Sequence, residues 1–154
     1  MTAATQDLDR ELIEALEDLI HDNVESSRSF QEAARARDGS PMAALLREIA
    51  LARFEYAADL RRYVRPSKPA ERHPSPLQGW WRSLASVGDD GNARALLAAA
   101  DRAEAAIEEE YVRVLARIEN HPAGEVVRAQ EHEVRRQHGR ILDLRKRSTA
   151  AVYA

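Results

Sequence analysis

The stretch that decides the fold is residues 93–120, ARALLAAADRAEAAIEEEYVRVLARIEN. Its apolar side chains recur at intervals of three and four residues, which places them on one face of a helix. They are Leu97, Ala100, Ile107, Tyr111, Val114 and Ile118. One carboxylate, Glu104, falls on the same face. Because an unpaired carboxylate is expensive to bury, this position predicts a polar or charged partner for Glu104 elsewhere in the fold.

The composition favours long amphipathic helices. Charged residues make up 32% of the chain and aromatic residues 5%, whereas a β-sandwich requires more β-branched and aromatic residues. The net charge of −3 gives no indication of nucleic acid or an anionic membrane as partner. The absence of cysteine excludes disulfides, thiolate metal sites and a cysteine nucleophile. No signal peptide or membrane-spanning apolar run is recognisable, so we expect a cytoplasmic protein.

The apolar pattern predicts four long helices, at about residues 7–37, 41–64, 93–120 and 124–147. The first and second are separated only by Asp38-Gly39-Ser40, in which the glycine ends one helix and the serine caps the next. The third and fourth are separated by a similar short turn at Asn120-His121-Pro122. Such short turns make the flanking helices antiparallel neighbours.

A long crossover, residues 65–92, joins the second helix to the third. Its first part, PSKPAERHPSP, holds four prolines and is not helical, while LQGWWRSLASV can form a short extra helix and GDDGN a turn. The crossover is long enough to run back along the second helix, which spans roughly 35 Å. The sequence therefore predicts a single all-α domain over residues 1–154. Its fold is a four-helix bundle with an up-down-down-up path, followed by a frayed tail at residues 148–154.

Several groups of residues carry a resemblance to a known family. They are Phe30-Gln31-Glu32-Ala33-Ala34; Arg53, Tyr56, Ala57, Asp59 and Leu60; Gly79-Trp80-Trp81-Arg82; Glu104 and Tyr111; and His138, Ile141 and Leu144. In their order and spacing, nearly the whole chain resembles a bacterial family of unknown function with a ferritin-like four-helix bundle. The resemblance implies a distant relationship to di-iron carboxylate proteins and a stress-related class of role. It implies no specific activity.

The ligand pattern of ferritin-like di-metal proteins is incomplete in this chain. That pattern requires a Glu on each of two helices and a Glu-x-x-His pair on each of the other two. Glu104 and His138 occupy inward positions, but Arg135 stands where the pair on the fourth helix requires its Glu. The pair on the second helix reads Ala52-x-x-Glu55, with Ala52 at the inward place. The ligand count therefore argues against a complete di-metal centre.

Two interpretations of Glu104 and His138 follow. In the favoured one, they hydrogen-bond to each other inside a buried polar network whose other members are Asn23, Ser27, Tyr56, Tyr111 and Gln130. This predicts a non-enzymatic structural or interaction protein with no cofactor. In the alternative they bind iron or manganese, or a single zinc or manganese ion with Glu108 or Glu131. This predicts a metal-dependent oxidoreductase or a metal-storage protein.

The remaining signals concern surfaces. Trp80 and Trp81 stand together in the crossover, where they either pin it to the bundle or form an interface with a protein partner or a second copy. We expect a homo-oligomer. Consecutive glutamates over residues 108–110 are expected on a solvated face. The basic end of the fourth helix suits the negative end of the helix dipole. A polyanion contact there is less supported, because the rest of the chain is acidic and no aromatic residues interleave with the arginines.

Overall fold

The computed structural model describes residues 3–64, 77–90, 92–118 and 120–153. These ranges contain five α-helices and no strand, so the predicted all-α class is confirmed for this part of the chain. The helices are α1 (Ala3–Ala36), α2 (Pro41–Arg61), α3 (Gln78–Asp90), α4 (Ala93–Leu115) and α5 (Gly124–Tyr153). The predicted proline-rich part of the crossover, residues 65–76, lies outside the described residues.

Local chemistry fixes two of the helix starts. Gly39 has a φ of +85°, which only glycine adopts without strain, and it turns the chain from α1 into α2. The hydroxyl of Ser40 accepts the backbone N–H of Ala43 at 3.2 Å, and Pro41 is the first residue of α2. The start of α4 is capped in the same way by Asn92, whose side chain accepts a backbone N–H at 2.8 Å.

Several helix bounds differ from the sequence prediction; α1 begins at Ala3 rather than near residue 7, and α2 ends at Arg61 rather than near residue 64. α3 continues to Asp90, through part of the segment predicted as a turn. α4 ends at Leu115 rather than near residue 120, because the chain then tightens: the N–H of Arg117 bonds to the carbonyl three residues earlier, at 3.0 Å. α5 continues to Tyr153, where a frayed tail is predicted. No glycine or proline follows Gly139, so nothing in the sequence stops this helix.

The four long helices pack in pairs. α1 makes its main contacts with α2, α4 makes its main contacts with α5, and α3 packs against α1 and α4. The short turns make each pair antiparallel. Across the pairs, Glu48 of α2 contacts Arg140 of α5, and Tyr56, further along α2, contacts Gln130, earlier in α5. α2 and α5 are therefore antiparallel, and α2 and α4 run in the same direction.

Apolar side chains from all five helices form one core. Its largest fully buried apolar members include Phe30, Leu46, Leu60, Trp81, Leu96 and Tyr111. Polar and charged side chains are buried alongside them, and these include Asp22, Asn23, Ser26, Arg53, Glu104, Glu110, Gln130 and Gln137. Among the described helices, none combines the length and the apolar character that a bilayer crossing requires.

Candidate functional site

A buried arginine, Arg53 of α2, lies at the centre of the buried polar groups. Its Nη2 atom donates to Oε2 of Glu104 at 2.5 Å and to Oε1 of Gln137 at 3.1 Å. Its Nη1 atom donates to the hydroxyl of Ser26 at 3.2 Å, and its Nε atom donates to Gln137 Oε1 at 3.3 Å. We call these four residues the Arg53 cluster. Each comes from a different long helix, and none is more than 5% exposed.

The helical spacing of α2 explains why Arg53 points inward. Ile49 and Ala57, four residues before and after it, are both fully buried, so Arg53 lies on the same face. The guanidinium lies 5.7 Å from the ring centre of Phe30, a contact that a planar and weakly hydrated cation favours. The sequence prediction instead placed Ala52 at the inward position. The error is one residue of helix register.

Glu104 binds Arg53 and not His138. The position of Glu104 is as predicted, since the side chain is fully buried on the inner face of α4. His138 lies at the edge of the contact between α4 and α5, where its side chain is 15% exposed. Gln137, the preceding residue of α5, takes the inward position. Within the described residues, Oε1 of Glu104 is buried without a hydrogen-bond partner.

His138 forms an ionic contact of its own between two carboxylates of α4. Its Nδ1 atom lies 2.8 Å from Glu108 and its Nε2 atom lies 2.7 Å from Asp101. Burial lowers the pKa of His138, but the hydrogen bonds to these carboxylates outweigh it and raise the pKa above the usual 6.5. Arg145 also binds Asp101, at 2.5 Å, and Arg135 binds Glu108, at 3.4 Å. The arrangement therefore clamps α4 to α5 with paired charges.

A second buried cluster surrounds Tyr111. The amide nitrogen of Asn23 donates to the Tyr111 hydroxyl at 2.8 Å and to the carbonyl of Leu19 at 2.9 Å. The Tyr111 hydroxyl donates in turn to Gln130 at 2.8 Å, and Gln130 donates to the carbonyl of Tyr56 at 3.2 Å. Burial is the main cause that raises the pKa of Tyr111, so the phenol stays neutral.

Tyr56 connects the two clusters, whereas Ser27 lies outside both. Gln137 of the Arg53 cluster donates to the Tyr56 hydroxyl at 3.4 Å. Ser27 donates to the backbone carbonyl of Ala50 at 2.7 Å, so it ties α1 to α2. Of the predicted network, the structure brings together Asn23, Tyr56, Tyr111 and Gln130, and it links Glu104 to them through Arg53 and Gln137.

Two carboxyl groups, Asp22 of α1 and Glu110 of α4, form a buried pair that the sequence does not predict. Asp22 is fully buried and Glu110 is 6% exposed. One oxygen of Asp22 accepts the indole N–H of Trp81 and the backbone N–H of Leu77, both at 3.3 Å. Burial, followed by the hydrogen bond to Asp22, raises the pKa of Glu110 to about 10. The raised pKa favours the protonated form of Glu110 at neutral pH, and in this form its carboxyl group can donate to Asp22.

The signal for Glu110 was present in the spacing of α4. The residue follows Ile107 by three positions and precedes Val114 by four, and both of these apolar residues are buried. The acidic run over residues 108–110 is therefore not wholly solvated, since its last member turns inward. A cleft of about 420 Å³ opens beside Glu110 and is also lined by Asp18 and Arg113.

The two tryptophans have different environments. Trp81 is 1% exposed and belongs to the core, where its bond to Asp22 pins α3 to α1. Trp80 is 41% exposed. The predicted interface role is therefore open only to Trp80, because Trp81 has no free surface to offer a partner.

The donor set does not fit a di-metal centre. Each carboxylate predicted as a ligand binds an arginine: Glu104 binds Arg53, while Glu108 and Glu131 bind Arg135. The guanidinium beside Glu104 repels a second cation through its own charge. Among the described residues, no group of three or more histidine, aspartate or glutamate side chains is arranged to hold one metal ion.

No protein-family model, no curated protein and no solved structure matches this chain. The family resemblance and the ferritin-like assignment therefore stay predictions. The function has to follow from the chemistry of the buried groups and from the surfaces of the helices.

Proposed function

We propose that this chain is a structural or interaction protein without enzymatic activity, built as a ferritin-like four-helix bundle. The guanidinium of Arg53 takes the place that a metal centre holds in di-metal bundles. One observation carries the proposal. The Nη2 atom of Arg53 lies 2.5 Å from Oε2 of Glu104, and neither side chain has any exposed surface.

The helix directions support the ferritin-like part of this proposal. α1 and α2 are antiparallel, α4 and α5 are antiparallel, and α2 and α4 run in the same direction. An up-down-down-up bundle with one long crossover between its second and third long helices has this arrangement. The short helix α3 belongs to that crossover.

The chemistry of the Arg53 cluster supports a structural role. Arginine supplies one positive charge and five N–H donors in a fixed plane, so a single side chain can bind groups from three other helices. It has no redox chemistry and stays protonated at any physiological pH. A substrate cannot reach a group that has no exposed surface. The cluster is therefore suited to fixing the register of the four helices, a role known for buried polar groups in other bundles.

The alternative function, a metal-dependent oxidoreductase or metal-storage protein using Glu104 and His138, has one observation in its favour. In the described residues, Oε1 of Glu104 is a buried acceptor without a partner, and such groups call for an explanation. For a metal to bind there, Arg53 would have to leave the core and His138 would have to release both of its carboxylates.

Metal content tests the proposal. The protein would be expressed with added iron, manganese and zinc, purified without chelator and analysed for metals. We expect no stoichiometric metal. Stoichiometric metal that is lost on Glu104→Gln and kept on Glu109→Gln would overturn the proposal in favour of the alternative. Glu109 is the matched control because it is an exposed glutamate on the same helix, and circular dichroism would establish that both variants are folded.

A homo-oligomer is also part of the proposal. Since Trp81 is buried and Trp80 is only partly exposed, α3, the described helix of the crossover, offers little apolar surface for self-association. The outer faces of the long helices offer more.

A further inference from the structure

Both ring nitrogens of His138 face carboxylates. Its Nδ1 atom lies 2.8 Å from an oxygen of Glu108, and its Nε2 atom lies 2.7 Å from an oxygen of Asp101. An ionised carboxylate only accepts hydrogen bonds, so both contacts are favourable only when both ring nitrogens carry a proton. The geometry therefore requires the imidazolium form of His138.

The neutral form of His138 cannot keep both contacts. A neutral imidazole has one N–H group, so its other nitrogen would direct a lone pair at a carboxylate oxygen. One of the two contacts therefore has to open when His138 loses its proton. Asp101 is also bound by Arg145, and Glu108 is also bound by Arg135. Either carboxylate can thus release His138 and still keep a cation.

The charges around His138 come from α4 and α5. Glu104 of α4 also favours the charged imidazole, although its own carboxylate is bound to Arg53 of α2. The nearby cations of α5, Arg135 and Arg145, bind the same two carboxylates as His138. Burial lowers the pKa of His138, but its hydrogen bonds to these carboxylates outweigh burial and raise the pKa above the usual 6.5.

The residue that follows His138 weakens α5 at the same point. Gly139 lies in the middle of the helix, where glycine is about 1 kcal/mol less favourable than alanine. A Cβ atom here would meet no side chain beyond its two neighbours, and no other helix, within 4 Å. Packing therefore does not require a glycine, and the position is one where the helix can bend. We call residues 140–148 the C-terminal segment of α5.

The two parts of α5 on either side of this glycine are held differently. The part before it has several buried side chains, which include Val127, Gln130, Val134 and Gln137. In the C-terminal segment only Ile141 is buried, and Leu144 is partly buried. Its ion pairs are made by Arg140 and Arg145, whose side chains are 43% and 44% exposed, and such exposed pairs contribute little. The C-terminal segment therefore depends more on His138.

We propose that α5 bends at Gly139 and that the protonation of His138 controls the bend. The imidazolium holds the C-terminal segment against α4, and the neutral imidazole lets this segment move away. The closed state binds the proton more tightly than the open state, so a rise in pH favours the open state. The ratio of open to closed molecules should rise up to about tenfold for each unit by which the closed-state pKa exceeds the open-state pKa. One end of the bundle would then respond to pH while the Arg53 cluster stays intact.

A distance measurement between two spin labels tests the bend. The chain has no cysteine, so Arg35→Cys on α1 and Lys146→Cys on the C-terminal segment give two defined label sites, both exposed. Double electron–electron resonance should show a longer and broader distance distribution at about pH 9 than at about pH 6. Labels on Arg35→Cys and Ala129→Cys are the matched control, because Ala129 is exposed before the glycine. The distances of this pair should not change.

The same distribution at both pH values for the first pair would overturn the inference. An equal change for both pairs would also overturn it, because α5 would then move or unfold as a whole. Circular dichroism at both pH values would establish that the labelled chains are folded.

Three substitutions identify the controlling group and the position of the bend. His138→Gln keeps a single donor, as the neutral imidazole does, so the labels should show the open distribution at both pH values. Gly139→Ala fits the open space and stiffens the helix, so it should reduce the change. His132→Gln removes an exposed histidine of the same helix and should leave the change as it is. A pH-dependent distance that persists in His138→Gln, or one that Gly139→Ala leaves unaltered, contradicts the inference.

Discussion

The Nη2 atom of Arg53 lies 2.5 Å from Oε2 of Glu104, and the two fully buried side chains join α2 to α4. Removing two charges from water is costly, and the cost is recovered only when the charges pair closely and their other polar atoms are satisfied. Ser26 and Gln137 bind other N–H groups of the guanidinium, while Oε1 of Glu104 has no hydrogen-bond partner among the described residues. Arg53 and Glu104 therefore stabilise the fold only together, because either one alone would be a buried charge without its partner.

His138 should make the stability of the protein depend on pH. The pKa of His138 is raised above its usual 6.5 by its two carboxylates, against the opposing effect of burial. The folded state then binds the proton more tightly than the unfolded state. The stabilisation is complete below about pH 6.5 and is lost as the pH rises through the folded-state pKa. Urea unfolding should therefore show a larger cost of His138→Gln at about pH 6 than at about pH 9.

A control for this prediction is His132→Gln, which changes an exposed histidine on the same helix. An NMR titration of His138 should in addition give a midpoint above 6.5. A cost of His138→Gln that is the same at both pH values would show that the clamp is not ionic.

Glu110 should also make the protein less stable as the pH rises, but His138 contributes a stabilisation that is lost and Glu110 contributes a cost that grows. The burial of Glu110 lowers the free energy of unfolding at neutral and higher pH. An unfolded glutamate ionises near 4.5, but the folded pKa of Glu110 is about 10. Between these values the folded state binds the extra proton, so the free energy of unfolding falls as the pH rises. Glutamine has the shape of the neutral acid and can donate to Asp22 without a proton to lose. Glu110→Gln should therefore stabilise the protein at about pH 8, and the gain should grow between about pH 6 and 9.

Glu109→Gln is the matched control for Glu110, because it changes the preceding, exposed residue. If Glu110→Gln lowers the free energy of unfolding at about pH 8, or if the gain does not change with pH, Glu110 is ionised in the folded protein and the account of the carboxyl pair is wrong.

Trp81 and Trp80 should respond differently to truncation. Trp81→Ala removes a core side chain and should cost about 3–5 kcal/mol in urea unfolding, while Trp80→Ala should cost less than about 1 kcal/mol. Tryptophan fluorescence gives an independent measurement. In Trp80→Phe, the remaining emission should be blue-shifted and poorly quenched by iodide, and in Trp81→Phe it should be readily quenched. Equal quenching in the two variants would contradict the burial of Trp81.

Much of the fold could be predicted because its signals are local. Gly39, Ser40 and Pro41 fix the first turn through their own backbone chemistry, and the helical spacing of apolar residues gives the four long helices. The ends of α4 and α5 could not be predicted as well. The C-terminal end of α4 depends on the change after Leu115 to hydrogen bonds between residues three positions apart. The C-terminal end of α5 depends on the absence of any residue that stops the helix.

The site could be predicted only in part, because its contacts are made between helices. The burial of Glu104 follows from its spacing, but its partner does not. Arg53 has the spacing of a core residue but the charge of a surface residue, and the apolar pattern of α2 favours its neighbour Ala52 for the inward position. Glu110 likewise has the spacing of a core residue, but it belongs to an acidic run that predicts a solvated face. In both cases the buried charge is compensated by a residue distant in sequence, and a single sequence does not reveal that residue.

A double-mutant cycle on Arg53 and Glu104 tests the central claim most directly, with the free energy of unfolding measured in urea for Arg53→Met, Glu104→Leu and the double variant. We expect each single variant to lose about 3–5 kcal/mol, because it leaves a buried charge without its partner, and the double variant to recover most of that loss. A parallel cycle on Arg47 and Glu104, which are not in contact, should be additive. If the losses at Arg53 and Glu104 also simply add, Arg53 is not the partner that the carboxylate of Glu104 requires, and the account of the bundle centre is wrong.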